Sequence, residues 1–245
     1  MPKSTFSKRA NNYEKEAQIQ EKYAKILIDE SLRLTPHEYI KIADLGCGTG
    51  TVCREILRRR SNCLVKNFDL SPEMLKVASS RCESANAQYI QGSIPEDGDY
   101  DLIMSNFALQ WYDDLGKSLK KCIEQLKING ILSVIFPIEG SFESLKEAFD
   151  SVGEKKAFFQ FPKIKDIKKS TTKTEVILEE IFEEEQKFKN TLEFFKHIHS
   201  IGANQAEKNI SSTKLKKLID YHDELFADKI IVKYKILKII LKRVV

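Results

Sequence analysis

The stretch IADLGCGTG, residues 42–50, decides the fold: an apolar run carrying Asp44 near its carboxyl end opens into Gly46, Gly48 and Gly50, with Cys47 and Thr49 between them. Glycines at this spacing let the backbone turn sharply and approach a ligand with no Cβ in the way, at the strand-end crevice where open parallel sheets bind their ligands. A dinucleotide fingerprint needs GxGxxG, and GxGxG followed by Thr51, Val52 and Cys53 does not supply it, so NAD is not the expected occupant. Downstream, FDLSPEML (68–75) ends a second apolar run in Asp69, nineteen residues past Gly50. A carboxylate there accepts both hydroxyls of an adenosyl ribose. Ser71, Pro72 and Glu73 then read as a helix start, with serine as the cap and proline in the first turn.

Outward from this loop, short apolar runs alternate with helical patterns: 40–45, 49–60, 63–68, 72–82, 88–91, 100–105, 115–126 and 131–136. Strand followed by helix, repeated, implies a parallel sheet covered on both faces. An amphipathic helix over 13–34 precedes the first strand, with Pro36 beyond its end. After Pro137 the pattern changes. Residues 142–152 are helical in period, and 155–173 hold seven lysines against Asp166 alone, a net of +6. Residues 175–185 hold six glutamates and no base, and the whole region reads as a solvated loop or lid with its own charge pairing. Residues 192–201 and 215–226 look helical, and the β-branched run 229–243, with six bases and no acid, weakly favours a closing strand.

The 245 residues, 42 % hydrophobic and 31 % charged, suit one globular domain of 1–245 with an appendage and argue against a disordered chain. No window is apolar enough for a membrane span, and residues 1–9 lack a signal-peptide core, so the expected location is the cytoplasm. Five cysteines without a CxxC read as reduced, packing thiols, and no metal site is expected. His197 and His199, two apart, do not share a helix face and receive no metal or base role. A net charge of +4 without a basic stripe gives no reason to expect nucleic acid.

The loop and its downstream acid resemble the class I S-adenosylmethionine-dependent methyltransferases. That resemblance implies an α/β, Rossmann-like seven-stranded sheet with one antiparallel strand, helices on both faces and a lid insertion after the fifth strand. It implies S-adenosylmethionine as cofactor, with Gly46 and Gly48 lining its methionine part beside Asp44, Asp69 on the ribose and Leu70 on the adenine. Members usually carry an acid in a GD pair after the third strand. Here the pair is Gly92–Ser93, which leaves Ser93 and Ile94 as adenine contacts without a charge.

Three further segments, FSKRANNYEKEAQIQ (6–20), SNFALQWYDDL (105–115) and HIHSIGANQ (197–205), resemble the malonyl-acyl-carrier-protein O-methyltransferases of biotin synthesis and extend the likeness over nearly the whole chain. This implies a helical cap at 1–36, a cofactor core at 38–138, a lid at 139–210 and a closing helix and strand at 211–245. It implies Asn106 near the methionine end of the cofactor, and Tyr13 and Arg9 beside the cofactor's carboxylate or the substrate. Tyr13 has an alternative reading as a helix anchor, Arg9 as a surface charge, Trp111 as core and Gln110 as the cap of the following helix. The implied partner is a malonyl-loaded acyl carrier protein, acidic enough to be steered by the +6 stretch at low salt, and the enzyme is expected to be a monomer.

A malonyl carboxylate is already ionised at pH 7, so no general base has to be found, and none is expected; alignment and a dry site carry the reaction. Two rivals stay open at this point. One is a methyltransferase for another small carboxylic acid, since the SNFALQW region is shared; the other is an assembly protein that keeps the cofactor fold without this chemistry.

Overall fold

The computed structural model describes residues 18–36, 40–200, 210–226 and 228–245. Seven strands form one sheet in the order β3-β2-β1-β4-β5-β7-β6. They are β1 (Ile40–Leu45), β2 (Cys63–Asp69), β3 (Ala87–Gln91), β4 (Tyr100–Asn106), β5 (Leu126–Pro137), β6 (Thr174–Phe188) and β7 (Ile230–Arg243). β1 pairs in parallel with β2 and β4, β2 with β3, and β4 with β5, while β7 runs antiparallel to both neighbours. Strand order reverses between β1 and β4, and that switch point places a ligand crevice at their carboxyl ends.

Alternate residues of each strand feed two cores. Ile40, Ile42, Ile131, Ile236 and Ile240 pack with helices α1 (Gln18–Leu34), α2 (Thr51–Arg59), α5 (Glu143–Ser151), α7 (Thr191–Ser200) and α8 (Ser212–Glu224). Ala43, Leu45, Leu132, Leu237 and Ile239 pack with α4 (Leu115–Gln125) and α6 (Ile164–Ser170). Helix α3 (Pro72–Arg81) starts as its sequence predicts: the Ser71 hydroxyl accepts from the Met74 N–H at 3.1 Å, with Pro72 in the first turn. No helix among the described residues is long and apolar enough to cross a membrane.

Three local expectations change. The acidic run read as part of a solvated insertion is the edge strand β6, and the basic run facing it is β7. Glu185 pairs with Lys233 at 3.1 Å, and Glu180 with the buried Lys238 at 2.6 Å, whose ammonium also meets Glu30 of α1 at 2.6 Å. Each block of like charge is neutralised across the strand pair, which opposite charges stabilise and like charges do not. Strand β5 begins at Leu126, earlier than its apolar run. Asp114, not Gln110, caps the helix after β4, accepting from the Lys117 N–H at 2.8 Å.

Helices α5, α7 and α8 are joined by one buried network. The Thr191 hydroxyl donates to Asp223 Oδ1 at 2.5 Å, so it accepts from His222 Nδ1–H at 2.6 Å, and His222 Nε2 accepts from the Ser144 hydroxyl at 3.0 Å. Burial lowers the His222 pKa to about 4. The folded state therefore refuses a proton that the unfolded chain takes near pH 6.5, and stability present above that pH is lost as pH falls towards 4. The expected slope is about 1.4 kcal/mol per unit at most, and urea midpoints measured from pH 7 to 4.5 should show a steep fall that His222→Gln flattens.

Candidate functional site

The glycine loop leaves β1 at the switch point and is pinned to β2: Gly46 and Cys47 both donate to the Phe68 carbonyl, at 2.8 and 3.0 Å. Gly46 has φ +68°, and a Cβ there would lie 2.2 Å from that of Ala108, so the close approach to the segment after β4 requires glycine. Gly48 has φ +55° and faces open space. The loop ends at the amino terminus of α2, which has no side-chain cap, so its first-turn N–H groups stay available to an anion.

Asp69 stands beside this loop. Its Oδ2 accepts from the Gly48 N–H and its Oδ1 from the Ser71 N–H, both at 2.9 Å. Each oxygen keeps a lone pair for a further donor, which is what a vicinal diol needs. Gly92 N–H donates to the Asp69 carbonyl at 3.0 Å, so the Ser93–Ile94 segment starts beside Asp69. Tyr112, absent from the expected set, closes this edge with its hydroxyl on the Ser93 carbonyl at 2.7 Å.

A cavity of about 150 Å³ lies on the other side of the loop, lined by Gln20, Asp44, Gly46, Gly48, Thr51 and Asn106 among others. Asp44 is 1 % exposed, and burial together with the Asp69 charge raises its pKa to about 7. Asp44 Oδ2 and Asn106 Oδ1 are buried, with no donor in reach among the described residues. Two orphaned acceptors on one cavity wall, with helical N–H groups near by, suit a ligand carrying an ammonium and a carboxylate on one carbon. Asn106 is held by its Nδ2, which donates to the Gln20 carbonyl at 3.0 Å, so α1 builds part of the site. No sequence pattern announces a bond to a main-chain carbonyl eighty-six residues away.

The expected residues Asp44, Gly46, Gly48, Asp69, Leu70, Ser93, Ile94 and Asn106 thus lie at the carboxyl ends of the neighbouring strands β1, β2, β3 and β4. Arg9 and Tyr13 lie outside the described residues. Trp111 is half-buried against the core, edge-on to Phe159 with ring centres 6.2 Å apart. Gln110 sits in a single 3₁₀ turn, its Nε2 on the Phe107 carbonyl at 2.9 Å and its Oε1 buried without a donor among the described residues. All five cysteines are free thiols, and among the described residues no cluster of metal-ligating side chains occurs.

The family model described as a methyltransferase domain matches residues 43–134. A malonyl-acyl-carrier-protein O-methyltransferase of Acetivibrio thermocellus is 29 % identical over 90 % of this chain and 85 % of its own length. One of Ilyobacter polytropus is 29 % identical over 93 % and 87 %. One of Halalkalibacterium halodurans reaches 36 % over about half of each chain, 52 % and 51 %. Among solved structures, the YcgJ protein of Bacillus subtilis superposes with a TM-score of 0.62 at 15 % identity, covering 90 % of this chain and 97 % of its own. The geranyl diphosphate C-methyltransferase of Streptomyces coelicolor, crystallised with S-adenosyl-L-homocysteine, superposes at 0.57 and 13 %, covering 90 % and 77 %.

Proposed function

The chain is a class I S-adenosylmethionine-dependent methyltransferase, and from that premise we propose that it O-methylates the free carboxylate of a malonyl group carried on an acyl carrier protein, the ester serving biotin synthesis. The observation that carries this reading is the likeness to the malonyl-acyl-carrier-protein O-methyltransferases over nine-tenths of the chain, set on a site whose orphaned acceptors suit the cofactor. The rival acceptors have no comparable support.

When bound, S-adenosylmethionine supplies a sulfonium methyl that is open to in-line attack. Asp44 and Asn106 hold its ammonium, the first turn of α2 its carboxylate, Asp69 the ribose hydroxyls, and Leu70, Ser93 and Ile94 border the adenine. Asp69 is itself fixed by two main-chain N–H groups, so it meets the ribose in a set orientation. A malonyl carboxylate needs no deprotonation, which agrees with a site that offers acceptors rather than a poised base. The chain's contribution is to align acceptor and methyl, an effect worth roughly 7–11 kcal/mol where geometry is ideal, and to strip water from a weak oxygen nucleophile. Residues 1–36 and 139–210 are assigned the cover that does this, with Arg9 and Tyr13 at the substrate; an arginine orients a carboxylate through two parallel bonds. We place the reaction in the cytoplasm and in a monomer.

Mass spectrometry of malonyl-loaded carrier protein incubated with the enzyme and S-adenosylmethionine should show one added methyl on the acyl group. Its absence, with free small carboxylic acids methylated instead, would overturn the acceptor. The lysines of the 155–173 stretch are assigned the steering of the acidic carrier. Reversing Lys163, Lys165, Lys168 and Lys169 to glutamate should raise KM for the carrier-bound substrate about tenfold at low salt, with kcat unchanged.

A further inference from the structure

A second cleft, of about 490 Å³, opens where the chain leaves β5, between Glu139–Lys146 and the strap 155–163. Its floor is Phe158, Phe159 and Phe161, with Phe159 and Phe161 stacked at 5.7 Å. Its rim carries Lys146, Lys155, Lys156 and Lys163 together with Glu139 and Glu143, four positive charges against two negative. The strap is tied to the sheet by the Glu139 N–H, which donates to the Pro162 carbonyl at 2.9 Å. Contacts lead from this floor to the methyl-donor site. Phe159 meets Trp111 edge-on, and the same 3₁₀ turn holds Gln110 on the Phe107 carbonyl, next in the chain to Asn106.

We propose that this cleft seats the phosphopantetheine arm of the carrier protein, its apolar pantoyl and amide portion on the three phenylalanines and its phosphodiester among Lys146, Lys155 and Lys156. This rests on the carrier-bound acceptor argued above. The arm is a slender, uncharged chain of methylenes, methyls and amides with one anionic group at its far end, which matches an aromatic floor under a rim of net positive charge. The rim lysines are held only by exposed partners: Lys146 meets Glu143 at 3.4 Å, Lys155 meets Asp150 at 3.8 Å and Lys163 meets Glu139 at 3.0 Å, pairs of the kind that contribute little and that a phosphate can displace.

The test uses the full chain with pantetheine and phosphopantetheine themselves, by calorimetry, and then their malonyl thioesters as methyl acceptors. Phosphopantetheine should bind at least about tenfold more tightly than pantetheine, the scale of one charge-assisted hydrogen bond. The paired change Lys155→Glu with Lys156→Glu, both exposed, should erase that difference without moving the melting temperature, and Phe161→Ala should weaken both ligands alike. Equal affinity for the two, binding of neither, or a difference that survives the lysine reversal overturns the seat. Equal KM for malonyl-coenzyme A and the malonyl carrier overturns the carrier as the source of the arm. If phosphopantetheine binds as expected but no malonyl thioester is methylated, the seat stands and the acceptor reading falls.

Discussion

Alanine in place of Gly46 is expected to cost about 2–5 kcal/mol of stability and to remove measurable S-adenosylmethionine binding. Two costs add. The backbone at φ +68° disfavours any Cβ, and the Cβ would sit 2.2 Å from that of Ala108. Neither partner yields freely, because Gly46 and Cys47 are both hydrogen-bonded to the Phe68 carbonyl. Relief comes only from pushing the segment after β4 away from the loop, and that segment starts directly from Asn106, the last residue of β4. Gly48→Ala provides the contrast: its Cβ meets nothing within 4 Å, so only the conformational cost of about 1–2 kcal/mol remains in the free protein, while the methyl group enters the ligand's space. Thermal melts and calorimetric titration of both variants check this. A Gly46→Ala protein with unchanged melting temperature and cofactor affinity would refute the packing argument.

The second large effect has opposite signs on stability and binding. Asp44 is buried beside Asp69, and its pKa of about 7 means the folded protein holds a proton that the unfolded chain releases near pH 4. Its favourable contribution is complete below pH 4 and is lost as pH rises through 7. Asp44→Asn, which is never ionised, should therefore stabilise the ligand-free protein at pH 8 by on the order of 2–4 kcal/mol, an advantage that shrinks to about 1–2 kcal/mol at pH 5. The same change should weaken S-adenosylmethionine binding at least about a hundredfold, because the charge facing the ammonium is gone. In the unaltered enzyme, cofactor affinity should fall towards tenfold per pH unit below 7, as binding then has to expel the Asp44 proton. Melting temperatures at the two pH values and affinities from pH 5.5 to 8.5 decide the matter; a variant no more stable at pH 8, with wild-type affinity, would show that Asp44 is an ordinary core acid.

The parts legible in the sequence are those whose physics is local. Gly46, Gly48 and Asp69 announce themselves because a strand-end turn needs glycines and a ribose needs a carboxylate after the next strand, and Ser71 because its cap acts three residues away. What resisted reading depends on partners distant in the chain. The glutamates of β6 look like a solvated run because glutamate is a poor strand former and the alternation slips at Val176 and Leu178; only the lysines of β7 alongside make the strand possible. Asn106 was expected at the site, yet its orientation comes from the carbonyl of Gln20, and Tyr112 reaches Ser93 through a main-chain oxygen that no side-chain pattern encodes.

The position of β7 has a consequence for biogenesis. Residues 230–243 follow every other strand in chain order, yet they lie between β5 and β6. While the ribosome is still making them, the first five strands end in an open border at β5, and the acidic ribbon of 174–188 has nothing to pair with. The glutamate-rich composition of that ribbon keeps it hydrated and discourages it from joining another nascent chain until its lysine-bearing mate emerges.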